Sequence, residues 1–133
     1  MVEAAVRARE GSYAPYSRFA VGAAVRLSDG SIVTGANQEN AAFPSGICAE
    51  RTAMFSANSQ HPELSMISIA IAGGPQDGGL MEEPATPCGA CRQVMAQYQL
   101  KAGAPMSVIM AGASKIWKFD SVDDILPLTF CSV

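Results

Sequence analysis

The sequence predicts an α/β fold, a single mixed β-sheet layered with helices. Two observations carry that expectation. Asp29-Gly30 sits between two apolar, β-rich stretches, the pattern of a hairpin, and beyond it strand-like and helix-like stretches alternate. Residues 1–133 are expected to form one domain, with enough chain for a buried core.

Taken in order, Val2, Ala5 and Val6 share one helical face, which predicts a helix from residue 2 to about residue 10. SYAPYSRF ends it with Pro15 and hydroxyl side chains. AVGAAVRL then reads as a strand, SDGS as a turn and SIVTGAN as the return strand. A helix is expected over 48–59, and SMISIAIA at 65–72 alternates as a strand does. GGPQDGGLMEEPATP reads as a long polar loop. Thr86 as cap and Pro87 at the first helical position start the next helix, whose apolar stripe is Cys91, Val94, Met95 and Tyr98. MSVIMAG is a further strand, IWKFD a short last one and SVDDILP a short closing helix. No repeat, linker or low-complexity tract interrupts this order.

Composition excludes some classes. The net charge of −3 argues against a nucleic-acid partner, because phosphate contacts demand a basic surplus. No apolar run approaches the ~20 residues that span a bilayer, so no membrane partner is expected. The opening MVEAAVRARE lacks the basic-then-apolar layout of an export signal, and the expected location is cytoplasmic. The single histidine, His61, lies in the polar stretch NSQHPEL and reads as solvated, which leaves no base for a Ser-His-Asp triad.

Four cysteines remain: Cys48, Cys88, Cys91 and Cys131. In a reducing compartment they suggest a metal rather than disulfides. Cys88 and Cys91 stand one helical turn apart, and Cys48 opens the other helix. Helix N-termini favour the thiolate that binds metal. Three thiolates suit zinc and leave a fourth position open. A closed site with Cys131 as the fourth ligand is the competing arrangement. Against it, closed four-cysteine sites come as two close pairs, whereas Cys48 and Cys131 have no close cysteine neighbour. A redox CxxC pair would leave Cys48 and Glu50 idle.

Glu50 follows Cys48 by two residues. By itself a glutamate in a helix's first turn is a surface charge that complements the dipole. Beside an open coordination position, it can take a proton from water there and pass it on. Three thiolates on Zn²⁺ carry a net charge of −1, which opposes that deprotonation. Arg51 and Arg92 follow the ligands directly, and hydrogen bonds from their guanidinium groups to sulfur would draw charge off the thiolates.

CAERTA and PCGACRQV together resemble the zinc-dependent cytidine deaminases of the small homotetrameric class. Their signature pairs H-x-E with P-C-x-x-C, and this chain shows the three-cysteine variant. SYAPYSRFAVGAAV is similar to that family's N-terminal stretch, GANQENAAF to its nucleoside-binding stretch and ILPLTF to its closing motif. The resemblance implies a three-layer α/β/α fold, one zinc per subunit and a homotetramer whose pockets are shared between subunits. It also implies hydrolytic deamination of cytidine and deoxycytidine to uridine and deoxyuridine, with release of ammonia, as in pyrimidine salvage. Carried onto this chain, Cys48, Cys88 and Cys91 would hold zinc and Glu50 would shuttle protons. Asn37 and Glu39 would bind the ribose, Phe19 would pack on the pyrimidine, and the backbone near Ala49 would help hold the base. Phe43 and Phe130 would be aromatics supplied by neighbouring subunits. Rival readings are a deaminase for another nucleoside or a polynucleotide base, and a zinc-stapled binding domain.

Overall fold

The computed structural model describes residues 1–131. Helix α1 (Val2–Ala8) leads through a tight turn at Arg9–Gly11 to strand β1 (Phe19–Leu27) and strand β2 (Ile32–Ala36). Helix α2 (Ala49–Gln60), strand β3 (Met66–Pro75), helix α3 (Gly89–Ala102) and strands β4 (Ser107–Ala111) and β5 (Ile116–Phe119) follow. The five strands form one mixed sheet in the order β2-β1-β3-β4-β5. β1 is antiparallel to both β2 and β3, and β3 runs parallel to β4. The expected hairpin forms around Asp29, whose carboxylate accepts from the Ser31 amide at 2.9 Å.

Both sheet faces are covered, so β1 and β3 are buried along most of their length rather than on alternate residues. One face carries Ala23, Val25, Ile69, Ile71, Val108 and Met110 against Met54 of α2 and Met95 of α3. The other is built of Ala24, Ala70, Ala72 and Ala111 beneath Ala5 of α1. Such small side chains let a short helix lie close. Gly35 does the same for α2: a Cβ there would stand 2.5 Å from the Ala53 nitrogen and 2.9 Å from the Ala49 oxygen.

Two element boundaries differ from the sequence expectation. Residues 73–75 are not loop but the end of β3, where Gly73, Gly74 and Pro75 pair with Val21, Ala20 and Phe19. Helix α3 starts later than Thr86-Pro87 suggests: Cys88 is its cap, with extended φ −68° and ψ 167°. Pro87 is left outside the helix and buried, its carbonyl accepting from Arg92 Nε at 2.9 Å. The remaining loop is tied down rather than loose. Met81 donates to the Gly73 oxygen at 3.1 Å, Ala113 to the Met81 oxygen at 2.8 Å, and Lys115 pairs with Glu83 at 2.8 Å. The closing helix is a single turn, Val122–Asp124. Among the described residues, no helix is long and apolar enough to cross a membrane.

Gln99 fixes the end of α3 to its surroundings. Its Oε1 accepts from the amides of Met106 at 2.9 Å and Val122 at 3.0 Å and from the Ser121 hydroxyl at 3.2 Å. Gln99→Leu strands both amides, at a cost of about 2–4 kcal/mol. The expected result in urea unfolding is a lower midpoint with an unchanged slope.

Candidate metal centre and adjoining cavities

α2 follows β2 and α3 follows β3, so both helices begin at the carboxyl ends of strands that point the same way. Their caps are alike. Cys48 (φ −74°, ψ 157°) and Cys88 (φ −68°, ψ 167°) are each extended, and each carbonyl accepts the first helical amide, from Thr52 and Arg92, at 3.0 Å. This geometry turns both cap sulfurs toward one point, and Cys91 adds a third from the first turn of α3. The three Sγ atoms lie within 4.8 Å of one another, and those of Cys48 and Cys88 are 3.9 Å apart. A tetrahedron with 2.3 Å Zn–S bonds has edges of about 3.8 Å, so the donor set fits zinc. Cys131 lies outside the cluster. It packs as an apolar side chain against the core, and its thiol donates to Thr129 at 3.1 Å.

The electrostatics favour an anionic sulfur at Cys48. Cys48 is pulled well below the usual thiol range, first by the hydrogen bond from Cys91 and then by those from Arg51 and Cys88. Cys91 is pushed up by the same shared proton and by burial. Arg51 Nη2 donates to Cys48 Sγ at 3.6 Å, which holds the guanidinium charged, and its buried Nε has no hydrogen-bond partner among the described residues. A cation accepts such a position only beside compensating charge. Arg92 does not act this way. Its hydrogen bonds run to the carbonyls of Pro87 and Ile125, both at 2.9 Å, so the expected contact with sulfur is replaced by backbone support for the Cys88 cap. His61, as expected, stays at the surface, 4.0 Å from Glu63.

Glu50, the second residue of α2, is 4% exposed. Burial raises its carboxyl to about 7, helped by the neighbouring Cys48 charge. It is not a member of the three-sulfur cluster, yet it lines the same cavity of about 190 Å³ as Cys48 and Cys88. Phe19, Asn37 and Ala49 complete that cavity's functional candidates. Phe19 fits because Gly73 leaves its ring a seat: a Cβ at Gly73 would stand 3.0 Å from the ring and 3.0 Å from Ala85.

Asn37 and Cys48 also line a larger, open cavity of about 580 Å³, together with Glu39, Phe43 and Arg51. Glu39 accepts from the amides of Tyr16 at 3.0 Å and Ser17 at 3.1 Å and from the Ser17 hydroxyl at 2.5 Å, which holds its carboxyl below the usual range. Asn37 accepts from Ser12 at 2.5 Å and from the Val21 amide at 2.9 Å, and donates to the Phe19 carbonyl at 2.9 Å. Phe43 is 74% exposed and meets Tyr16 edge-on, with ring centroids 5.7 Å apart. Phe130 is 67% exposed and lies outside both cavities, its carbonyl accepting from Gln93. The sequence pattern does not reveal Ser12, Ser17 or Gly73. Their partners Asn37, Glu39 and Phe19 are distant in the chain, and the SYAPYSRF stretch that holds both serines does not show what they bind.

A mixed sheet with a three-thiolate centre and a buried carboxylate beside it defines a zinc-dependent deaminase class. Residues 1–104 match the model of the cytidine and deoxycytidylate deaminase zinc-binding region, and the chain belongs to that family. It is 47% identical over 97 residues to a cytidine deaminase of Halalkalibacterium halodurans, covering 73% of this chain and 68% of that one. With a cytidine deaminase of Sporosarcina psychrophila it shares 46% over 92 residues, covering 69% and 62%. The crystal structure of cytidine deaminase from Burkholderia pseudomallei superposes with a TM-score of 0.80 at 39% identity, covering 97% of this chain and 95% of that one.

The ligand set gives a direct expectation for metal analysis of purified protein. Cys131→Ser keeps one zinc per chain, whereas Cys88→Ser loses most of it. Equal loss in both variants would make Cys131 a ligand.

Proposed function

We propose that this chain, working as one domain, catalyses hydrolytic deamination of cytidine and deoxycytidine to uridine and deoxyuridine, releasing ammonia, in pyrimidine salvage. The observation that carries this is the placement of buried Glu50 in one small cavity with Cys48, Cys88 and Phe19. Zinc held by Cys48, Cys88 and Cys91 would polarise a bound water and lower its pKa. Glu50 takes a proton from the attacking water and delivers it to N3 of the base. Oxygen adds at C4, and Glu50 then helps protonate the amine as the C4–N bond breaks. Phe19 packs on the pyrimidine, and the backbone at Ala49 helps hold it. Asn37, which lines both cavities, and Glu39, which lines the larger one, bind the sugar. Arg51 draws charge from the Cys48 sulfur.

The working form is a homotetramer. The outward-facing rings of Phe43 and Phe130 are suited to completing pockets on neighbouring subunits. We place the protein in the cytoplasm, where reducing conditions keep cysteines available to bind a metal.

Glu50→Gln tests the mechanism. The variant retains zinc and binds cytidine, while kcat falls by roughly 10²–10⁴-fold or more. Turnover close to that of the unaltered enzyme would sink this reading. Substrate charge provides a separate test. Among the described residues Arg51 is the one cation lining the larger cavity, and it is engaged by Cys48, whereas Glu39 repels a phosphate. Cytidine is expected to exceed deoxycytidylate in kcat/KM by about 100-fold or more.

A further inference from the structure

Asn37 has four hydrogen-bonding positions: two lone pairs on Oδ1 and two N–H groups on Nδ2. The Val21 amide can only donate and the Phe19 carbonyl can only accept, so these two backbone groups fix which way the amide faces. The second lone pair of Oδ1 is taken by the Ser12 hydroxyl at 2.5 Å. Among the described residues, one Nδ2 hydrogen is then the sole group of the side chain without a partner. Glu39 is almost as fully engaged. Three of its four lone-pair sites are filled by the Tyr16 amide, the Ser17 amide and the Ser17 hydroxyl, and one on Oε2 remains.

Both residues line the larger cavity, and the pair has one donor and one acceptor left for a ligand there. A single sugar hydroxyl satisfies both, accepting from Asn37 and donating to Glu39. Ser12 controls the polarity of this match. With Ser12 in place, Oδ1 has nothing left to offer, and a hydroxyl donating to Oδ1 polarises the amide and strengthens its remaining N–H as a donor. We propose that Ser12, on the turn after α1, is a positioning residue that restricts Asn37 to donating to the substrate's 3′-hydroxyl. Ser12 does not touch substrate itself, and it lines neither cavity. The proposal rests on the assignment of Asn37 and Glu39 to the sugar.

The test pairs enzyme variants with cytidine and 3′-deoxycytidine. Ser12→Ala is expected to lose about five- to tenfold in kcat/KM on cytidine, mainly through KM, and to lose little on 3′-deoxycytidine. Ser12→Thr keeps a hydroxyl, and the extended backbone at this position (φ −65°, ψ 139°) accepts a β-branched residue, so it restores most of the loss. An equal loss on both substrates, or no rescue by threonine, overturns the proposal. Asn37→Ala is measured alongside. If Asn37→Ala discriminates between the two substrates and Ser12→Ala does not, the role of Ser12 fails while the sugar assignment stands. If neither discriminates, the sugar assignment fails as well.

Discussion

The structure depends on bringing two helix starts close enough for their cap sulfurs to share one ion. Cys48 and Cys88 belong to different helices, 40 residues apart in the chain, and their sulfurs stand 3.9 Å apart. No local propensity produces that distance. It comes from the strand order, which aligns β2 with β3 on either side of β1, and from helices that run back along the sheet from the carboxyl ends of those strands. The tolerance is narrow. A displacement of about 1 Å at one helix start would take the pair well away from the edge of a zinc tetrahedron. Gly35 meets this demand on one side, where α2 backbone lies against β2 with no room for a Cβ. The Arg92 guanidinium meets it on the other, bridging the carbonyl before Cys88 to that of Ile125.

The same convergence sets the electrostatics. Helix N-termini stabilise thiolates, and three of them gathered on zinc would make an anionic centre. Glu50, buried two residues from one of these sulfurs, is disfavoured as a carboxylate by both desolvation and the Cys48 charge. Arg51 offsets part of that charge from the adjacent position on α2. Neighbouring residues of one helical turn thus place a metal-set sulfur, a buried carboxyl and a guanidinium side by side. The CAER segment encodes a site rather than a surface helix.

How much of this was legible in the sequence follows the range of each interaction. Elements defined by local periodicity were readable: the hairpin at Asp29, the stripe Cys91, Val94, Met95 and Tyr98, and the helix after Cys48. The metal set was readable because its members sit in two short motifs. Features decided by distant partners were not. Gly73–Pro75 look like loop composition, but they extend β3 because Val21, Ala20 and Phe19 are there to pair with them. Thr86-Pro87 has the composition of a helix start, yet the tertiary requirement that Cys88 take the cap position overrides it. Arg92 sits as close to a ligand as Arg51 does, and only the path of the chain near Pro87 and Ile125 shows that two of its donors go to backbone carbonyls.

The polar wall of the larger cavity shows how that non-local order fixes the side chains that line it. The segment after α1 wraps beside the end of β2, with Tyr13 donating to the Asn37 carbonyl at 2.9 Å and Glu39 to that of Tyr13 at 2.8 Å. Arg18 is held at φ 58°, an uncommon conformation for a residue with a side chain, by hydrogen bonds from its amide to Ala14 and to its carbonyl from Gln76. That turn delivers Phe19 to the start of β1. Arg9 then braces the strand ends around Phe19 by donating to the carbonyls of Ala20 and Pro75, both at 3.0 Å. The groups facing the cavities are consequently fixed by partners behind them before any ligand arrives. Such preorganisation removes ordering costs from binding and makes the directions of the remaining hydrogen bonds selective.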